Sequence, residues 1–288
     1  MALEQPRIVF IGPGVMAEAM ISGLIRKKVT PPSRIVASGP REERVTELEK
    51  RYGIVPITDN VAAVQEADVV VLSVKPQVLS KVLDELSGAI PKDALVLSIV
   101  AGAPMAQIAA KLGHPYVVRA MPNTPGQIGK GISVWTASPP VTEEQRELAR
   151  AILAALGEEI YMNDENYLDM ATALSGTGPA YVFLFMEALV DAGVHLGFPR
   201  RIAEKLVVHT VLGSAEFYRR LQDEVHLAHL RNQVTSPGGT TASALYYLEK
   251  AGFRTALSRA VWAAYVRSRE LGQGGQPTPP WEQGPNGD

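Results

Sequence analysis

The chain has 288 residues, with 28 Lys and Arg against 30 Asp and Glu, a formal charge of −2. Charged residues make up 20% and apolar residues 46%, which excludes a disordered chain and leaves no basic excess for nonspecific nucleic-acid binding. It contains no cysteine, so disulfides, cysteine-ligated zinc, iron–sulfur clusters and thiol nucleophiles are excluded, and the composition fits a reducing, cytoplasmic compartment.

No secretory apolar segment precedes the first glycine and no run of about 18 apolar residues follows, so no membrane partner is expected. Short Val- and Ile-rich runs occupy residues 7–11, 34–38, 54–57, 68–74, 94–100 and 116–121. Several are nearly unbroken, as strands covered on both faces are. Amphipathic stretches at 15–28, 41–51, 61–66 and 77–86 predict helices between them. The alternation predicts an α/β domain with a mostly parallel sheet. Residues 131–136 and 159–162 predict two late strands, and Leu148, Ile152 and Leu156 mark a helix between them.

The character changes near Asn163, giving a first domain over 1–163 and an all-α one over 164–271. Helices are predicted at 181–196, 202–221, 241–251 and 254–271. The first is too apolar to bury easily in so small a domain, and a helical dimer interface is the expectation. Glu187 and Asp191 sit one turn apart on it and read as a polar seam. Residues 272–288 are rich in Gly and Pro and predict a disordered tail.

Four stretches carry chemistry. Gly12-Pro13-Gly14-Val15-Met16-Ala17 is a GxGxxA turn between a strand and a helix. Gly12 permits the tight turn, Gly14 lets backbone approach a pyrophosphate, and Ala17 keeps the helix close to the sheet. The second strand ends in Ser38 without the acid that bonds a ribose hydroxyl, and Arg41 follows. A hydroxyl and a cation suit a 2′-phosphate, so NADPH is preferred, with NADH as the alternative. Ser73-Val74-Lys75-Pro76 and Val100-Ala101-Gly102 follow the fourth and fifth strands, and Asn123 lies in a proline-rich turn after the sixth. Ligands in open α/β sheets bind at that edge.

Ser175-Gly176-Thr177-Gly178-Pro179 interrupts a helical run, which calls for close packing or a ligand. Ser236-Pro237-Gly238-Gly239-Thr240-Thr241 precedes a helix and reads equally as a cap or as a carboxylate site. His226 and His229 have helical spacing but no third ligand or HExxH motif, so no metal is expected.

Together these segments resemble the pyrroline-5-carboxylate reductase family, over about residues 7–271. The resemblance implies a Rossmann domain followed by a helical dimerisation domain, and reduction of a cyclic imine to L-proline with NAD(P)H, the last step of proline synthesis. It implies a homodimer, often assembled into decamers. Ser236, Pro237, Gly238, Gly239 and Thr240 then match the turn that holds the substrate carboxylate, and Thr241 places a hydroxyl by the ring nitrogen. Glu224 matches an acid near the pocket, Asn60 a contact on the adenosine side, and Thr177, Gly178 and Pro179 the nicotinamide end. Thr177 departs from the usual Ser-Gly-Ser-Gly-Pro by one methyl. The alternatives are a reductase of another imine or of a hydroxy acid, or a noncatalytic NADP(H) sensor. Residues 169–191 lack the lysine that hydroxy-acid relatives place there.

Overall fold

The computed structural model describes residues 5–272. The apolar runs become β1 (Ile8–Ile11), β2 (Ile35–Ser38), β3 (Val55–Ile57), β4 (Val69–Leu72), β5 (Leu95–Ser98) and β6 (Val117–Met121). They pair in parallel, in the order β3-β2-β1-β4-β5-β6. Two late strands extend the sheet: β7 (Gly131–Ala137), antiparallel to β6, and β8 (Gly157–Tyr161), parallel to β7.

Successive residues of each strand serve opposite faces. Ile8, Phe10, Ile35, Ala37, Val69 and Val71 pack on one side with α1 (Val15–Arg26), α2 (Glu42–Tyr52) and α6 (Glu143–Ala154). Val9, Ile11, Val36, Val70 and Leu72 pack on the other with α3 (Asn60–Val64), α4 (Pro76–Leu86) and α5 (Met105–Leu112). Both faces are covered, so the strands carry no polar alternation. Helix α5 escapes a periodicity reading because it is short: only Ile108 and Leu112 are buried on it. Strand order reverses between β1 and β4, which opens a crevice at their carboxyl ends.

Compactness divides the chain differently from the change in composition at Asn163. The first unit runs on to Thr177 and takes back residues 263–272, while Gly178–Trp262 forms the second. The physical reason is α7 (Asn166–Ala171), which sits on the first unit through buried Leu168 and Ala171 and through polar bonds described below.

Asn166–His195 is one helix, not a helix broken at the glycines. It widens into a π turn at Thr172–Gly176, where the Thr177 N–H reaches back to the Thr172 carbonyl at 2.8 Å. Pro179 has no N–H to give the Ser175 carbonyl, and the Asn123 amide donates to that oxygen instead, at 3.2 Å. The continuity corrects the expectation that no apolar stretch is membrane-length. By length and composition this helix is apolar enough to cross a membrane.

The second unit holds α8 (Gly178–His195), α9 (Arg200–Leu221), α10 (Leu227–Gln233), α11 (Thr240–Lys250) and the first half of α12 (Phe253–Gly272). Gly197, at φ 105°, ends α8, and Pro199 caps α9. The two helices pack through Val190, Ala203 and Val207. Much of the apolar surface stays bare: Phe183 is 60% exposed, Leu184 67% and Leu212 63%. Asp191, expected in a polar seam, pairs with Arg200 at 2.9 Å. Gly272 closes α12, and the rest of the tail expected to be disordered, residues 273–288, lies outside the described residues.

Candidate active site

The β1–α1 turn ties up its own polar groups, the Gly14 N–H donating to the Gly12 carbonyl at 2.8 Å, and leaves the first N–H groups of α1 for a ligand. The Gly12 N–H donates to the Ser38 carbonyl at 2.9 Å. The Gly12 carbonyl accepts the Ser73 hydroxyl at 2.8 Å, and the Pro13 carbonyl accepts Arg44 Nε at 3.0 Å. Gly14 caps α1 without a side-chain partner, which leaves the helix's first N–H groups and its dipole for an anion. A Cβ on Gly14 would meet nothing within 4 Å, whereas one on Gly12, at φ 90°, would lie 2.6 Å from Val74 Cγ1. Val15 is exposed, Met16 half-buried and Ala17 fully buried against the sheet. Pro13 is buried and packs where a Cβ on Gly39 would sit, 2.7 Å away, so it is a floor rather than a contact.

The residues expected around this turn divide into two groups. Arg41, which caps α2, and Lys75, which caps α4, are exposed and make no ion pair among the described residues. Pro76 opens α4. Both cations remain available to phosphate. Ser38 and Asn123 have their side chains engaged within the protein. Ser38 is fully buried, and its hydroxyl donates to Asn60 Oδ1 at 2.8 Å. Asn60 in turn donates to Glu85 at 3.2 Å, so these side chains brace the loop after β2. Asn123 accepts the Ile132 N–H at 3.0 Å while donating to Ser175, which makes it a brace between β7 and the π turn. Ser73 likewise ties β4 to the glycine turn.

Val100, Ala101 and Gly102 line the end of β5. Gly102 has φ 70°, and a Cβ there would lie 2.8 Å from the Ser268 carbonyl and 2.9 Å from Gly272 N. Its glycine therefore serves the close approach of α12. The Thr177 hydroxyl bonds back to the Thr172 carbonyl at 2.9 Å, inside the π turn. Gly178 and Pro179 begin α8.

Sequence reasoning missed Arg44, which reads as helix surface. It donates to Glu18 and Glu47 and anchors Pro13. Burial pushes the Glu18 carboxyl up, but hydrogen bonds from Arg44 and Tyr52 and the charges of Arg44 and Arg51 outweigh it and hold the group below the usual carboxylate range.

In the second unit, Ser236 to Gly239 make a tight turn into α11. Gly239 N–H donates to the Ser236 carbonyl at 3.1 Å, and Gly238 has φ 70°. Gly239 caps α11 with no side-chain bond, so the N–H groups at Thr240 and Thr241 face an uncapped end. Pro237 and Gly238 are exposed and Thr241 is half-buried. The sequence left cap and site open; the missing side-chain cap favours the site. Glu224 is exposed in the turn between α9 and α10. His226 caps α10, its Nδ1 accepting the Ala228 N–H at 3.1 Å.

Two family models match: NADP oxidoreductase coenzyme F420-dependent over residues 7–102, and Pyrroline-5-carboxylate reductase dimerisation over residues 165–271. The pyrroline-5-carboxylate reductase of Synechocystis sp. is 44% identical over 263 residues, 91% of this chain and 97% of that one. Its counterpart from Pseudomonas aeruginosa is 43% identical over 272 residues, 94% and 98% of the two chains. Among solved structures, the Plasmodium falciparum pyrroline carboxylate reductase with NADP bound superposes with a TM-score of 0.85 at 30% identity, covering 93% of this chain and 99% of that one. A Coxiella burnetii pyrroline-5-carboxylate reductase gives 0.82 at 38% identity, with the same coverage. A reductive aminase from Aspergillus terreus, at 15% identity and a TM-score of 0.58, shares the fold alone. The chain belongs to the pyrroline-5-carboxylate reductase family and is an oxidoreductase.

Proposed function

We propose that the chain reduces 1-pyrroline-5-carboxylate to L-proline with NADPH, as a cytoplasmic homodimer able to assemble further into decamers. The observation that carries the reading is that each unit holds its own uncapped, glycine-turned helix start: the GxGxxA turn on the first and the Ser-Pro-Gly-Gly turn on the second. The first suits a dinucleotide pyrophosphate and the second a substrate carboxylate.

The bound cofactor supplies a hydride to the imine carbon, and one proton on nitrogen completes the amine. The chain's own work is to bind and orient. Amides at Val15 and Met16 hold the pyrophosphate, Gly14 leaves room for it, and Ala17 keeps α1 close to the sheet. Arg41 meets the 2′-phosphate, and Lys75 adds positive charge at the same edge. Val100, Ala101, Thr177, Gly178 and Pro179 line the nicotinamide end. The Ser236–Thr240 turn holds the substrate carboxylate, with the N–H groups of Gly238 and Thr240 as donors, while Pro237 and the Gly239 N–H shape the turn. Thr241 orients the ring nitrogen and relays its proton, with Glu224 at the pocket's rim. A protonated imine is already electrophilic, so alignment of the reacting atoms at about 3–3.5 Å suffices without a strong general acid. The bare apolar surface of the second unit and its match to a dimerisation family support the homodimer over a membrane span.

The test is isotopic. With NADPH deuterated at the transferable C4 position, deuterium is expected on the proline Cδ, the former imine carbon. Proline formed without deuterium at that carbon, from either face of the nicotinamide, would remove direct hydride transfer.

A further inference from the structure

A buried ionic hub lies beneath the first unit's ligand edge, and no step proposed above uses it. Arg119, midway along β6, is 4% exposed. Its guanidinium donates to Glu165 Oε1 at 3.1 Å and to Asp169 Oδ1 at 2.8 Å. The same Asp169 oxygen accepts the Ser268 hydroxyl of α12 at 2.8 Å. Glu165 Oε1 also takes the N–H of Met105, the first residue of α5, at 2.8 Å. Such clusters add little net stability over apolar packing, but their short charge-assisted bonds fix the relative register of the segments they join.

The three segments that meet at Asp169 all run on to the same place. β6 continues into Asn123, whose amide holds the Ser175 carbonyl. Helix α7, which carries Asp169, continues through the π turn to Thr177. Helix α12 continues from Ser268 to Gly272, where it backs directly onto Gly102. Asn123, Thr177 and Gly102 mark the end of the site opposite the 2′-phosphate cation Arg41. We infer that Asp169 is a positioning residue for the nicotinamide half of the cofactor site, setting the β5 loop, the β6 turn and the π turn against one another from behind. The inference rests on the cofactor reading proposed above.

Two variants test it: Asp169→Asn, which removes the charge but keeps the shape, and Ser268→Ala, which releases α12 alone and leaves the Arg119–Asp169 pair intact. Each is titrated with 2′,5′-ADP, which reports the adenosine half, and with NADPH, which reports both halves; kcat is measured with NADPH and the imine. For Asp169→Asn the NADPH dissociation constant is expected to rise and kcat to fall by about tenfold each, with 2′,5′-ADP unchanged within about twofold. Ser268→Ala should shift NADPH and kcat the same way by about threefold. A merely structural role would lower Tm and leave NADPH affinity and kcat of the folded protein unmoved, which overturns the inference. Equal weakening of 2′,5′-ADP and NADPH overturns it as well. If Asp169→Asn does not fold, Ser268→Ala decides alone by the same criteria. Failure of the wild-type protein to bind 2′,5′-ADP or to turn over overturns the underlying cofactor reading, and the inference with it. A working wild type with kcat unchanged in both variants overturns the inference only.

Discussion

Gly12 and Gly14 are both glycines of one motif, yet they are glycines for different reasons. Gly12 sits at φ 90° with Val74 against it, so Gly12→Ala meets left-handed strain and a clash together. It should lower Tm and unfold the turn, at a cost of about 2 kcal/mol or more. Gly14 faces open space, so Gly14→Ala should leave Tm within about 2 °C, while its methyl enters the pyrophosphate's place and weakens NADPH by about tenfold or more. Equal thermal losses for the two variants would contradict this division. Arg41→Ala should lower kcat/KM for NADPH by about tenfold and leave NADH within about twofold, because only the 2′-phosphate needs that charge. Thr241→Ala should lower kcat/KM by about 10- to 100-fold, about 1.4–2.7 kcal/mol of transition-state stabilisation. At this scale the glycine spacing was readable from the sequence, because φ and close approach leave few other choices. The internal bonds of the Ser38 hydroxyl and the Asn123 amide were not readable, because a residue type does not say which way its side chain turns. Both are occupied as braces.

Among elements, α1 and α2 are clamped beside the glycine turn. Glu18 of α1 accepts hydrogen bonds from Arg44, Arg51 and Tyr52 of α2, and Arg44 carries the clamp on to the Pro13 carbonyl. The lowered Glu18 pKa fixes the sign of the pH effect. The clamp's contribution is full above the ordinary carboxylate value of 4.5 and is lost as pH falls through the lower folded value. Glu18→Gln should therefore cost about 1 kcal/mol at neutral pH, with exposed Arg51 adding little, and progressively less in acid. Urea midpoints of the two proteins at several pH values between 3 and 7 check this, and a pH-independent gap would contradict it. Most of the eight strands could be read from continuous apolar runs that only a doubly covered sheet explains. The π turn could not, because it depends on a partner far away in sequence: Asn123 takes the carbonyl that Pro179 leaves without a donor. Local propensity at the glycines points to a break. Helices α5 and α10 went unseen because each is too short to show a period.

For the whole molecule, the apolar residues of the second unit are the feature to explain. Phe183, Leu184 and Leu212 are each 60% exposed or more in the single chain, large apolar side chains that a second copy would cover. Sedimentation at micromolar concentration should give a dimer or a multiple of it. Leu184→Glu should shift the distribution toward monomer and lower activity with it; an unchanged sedimentation coefficient would count against a second copy covering this face. The bare apolar residues were legible in outline from the apolar helix, whereas the division of the chain was not. Composition changes at Asn163, but α7 and residues 263–272 are held by buried polar bonds that no composition reveals.

The initial rate of NADPH oxidation with racemic pyrroline-5-carboxylate, repeated with NADH, asks directly whether this chain reduces a cyclic imine. A saturable rate is expected that stops when half of the racemate is consumed, with L-proline as product and a higher kcat/KM for NADPH than for NADH. No oxidation above the protein-free rate, with NADPH still bound, would contradict it.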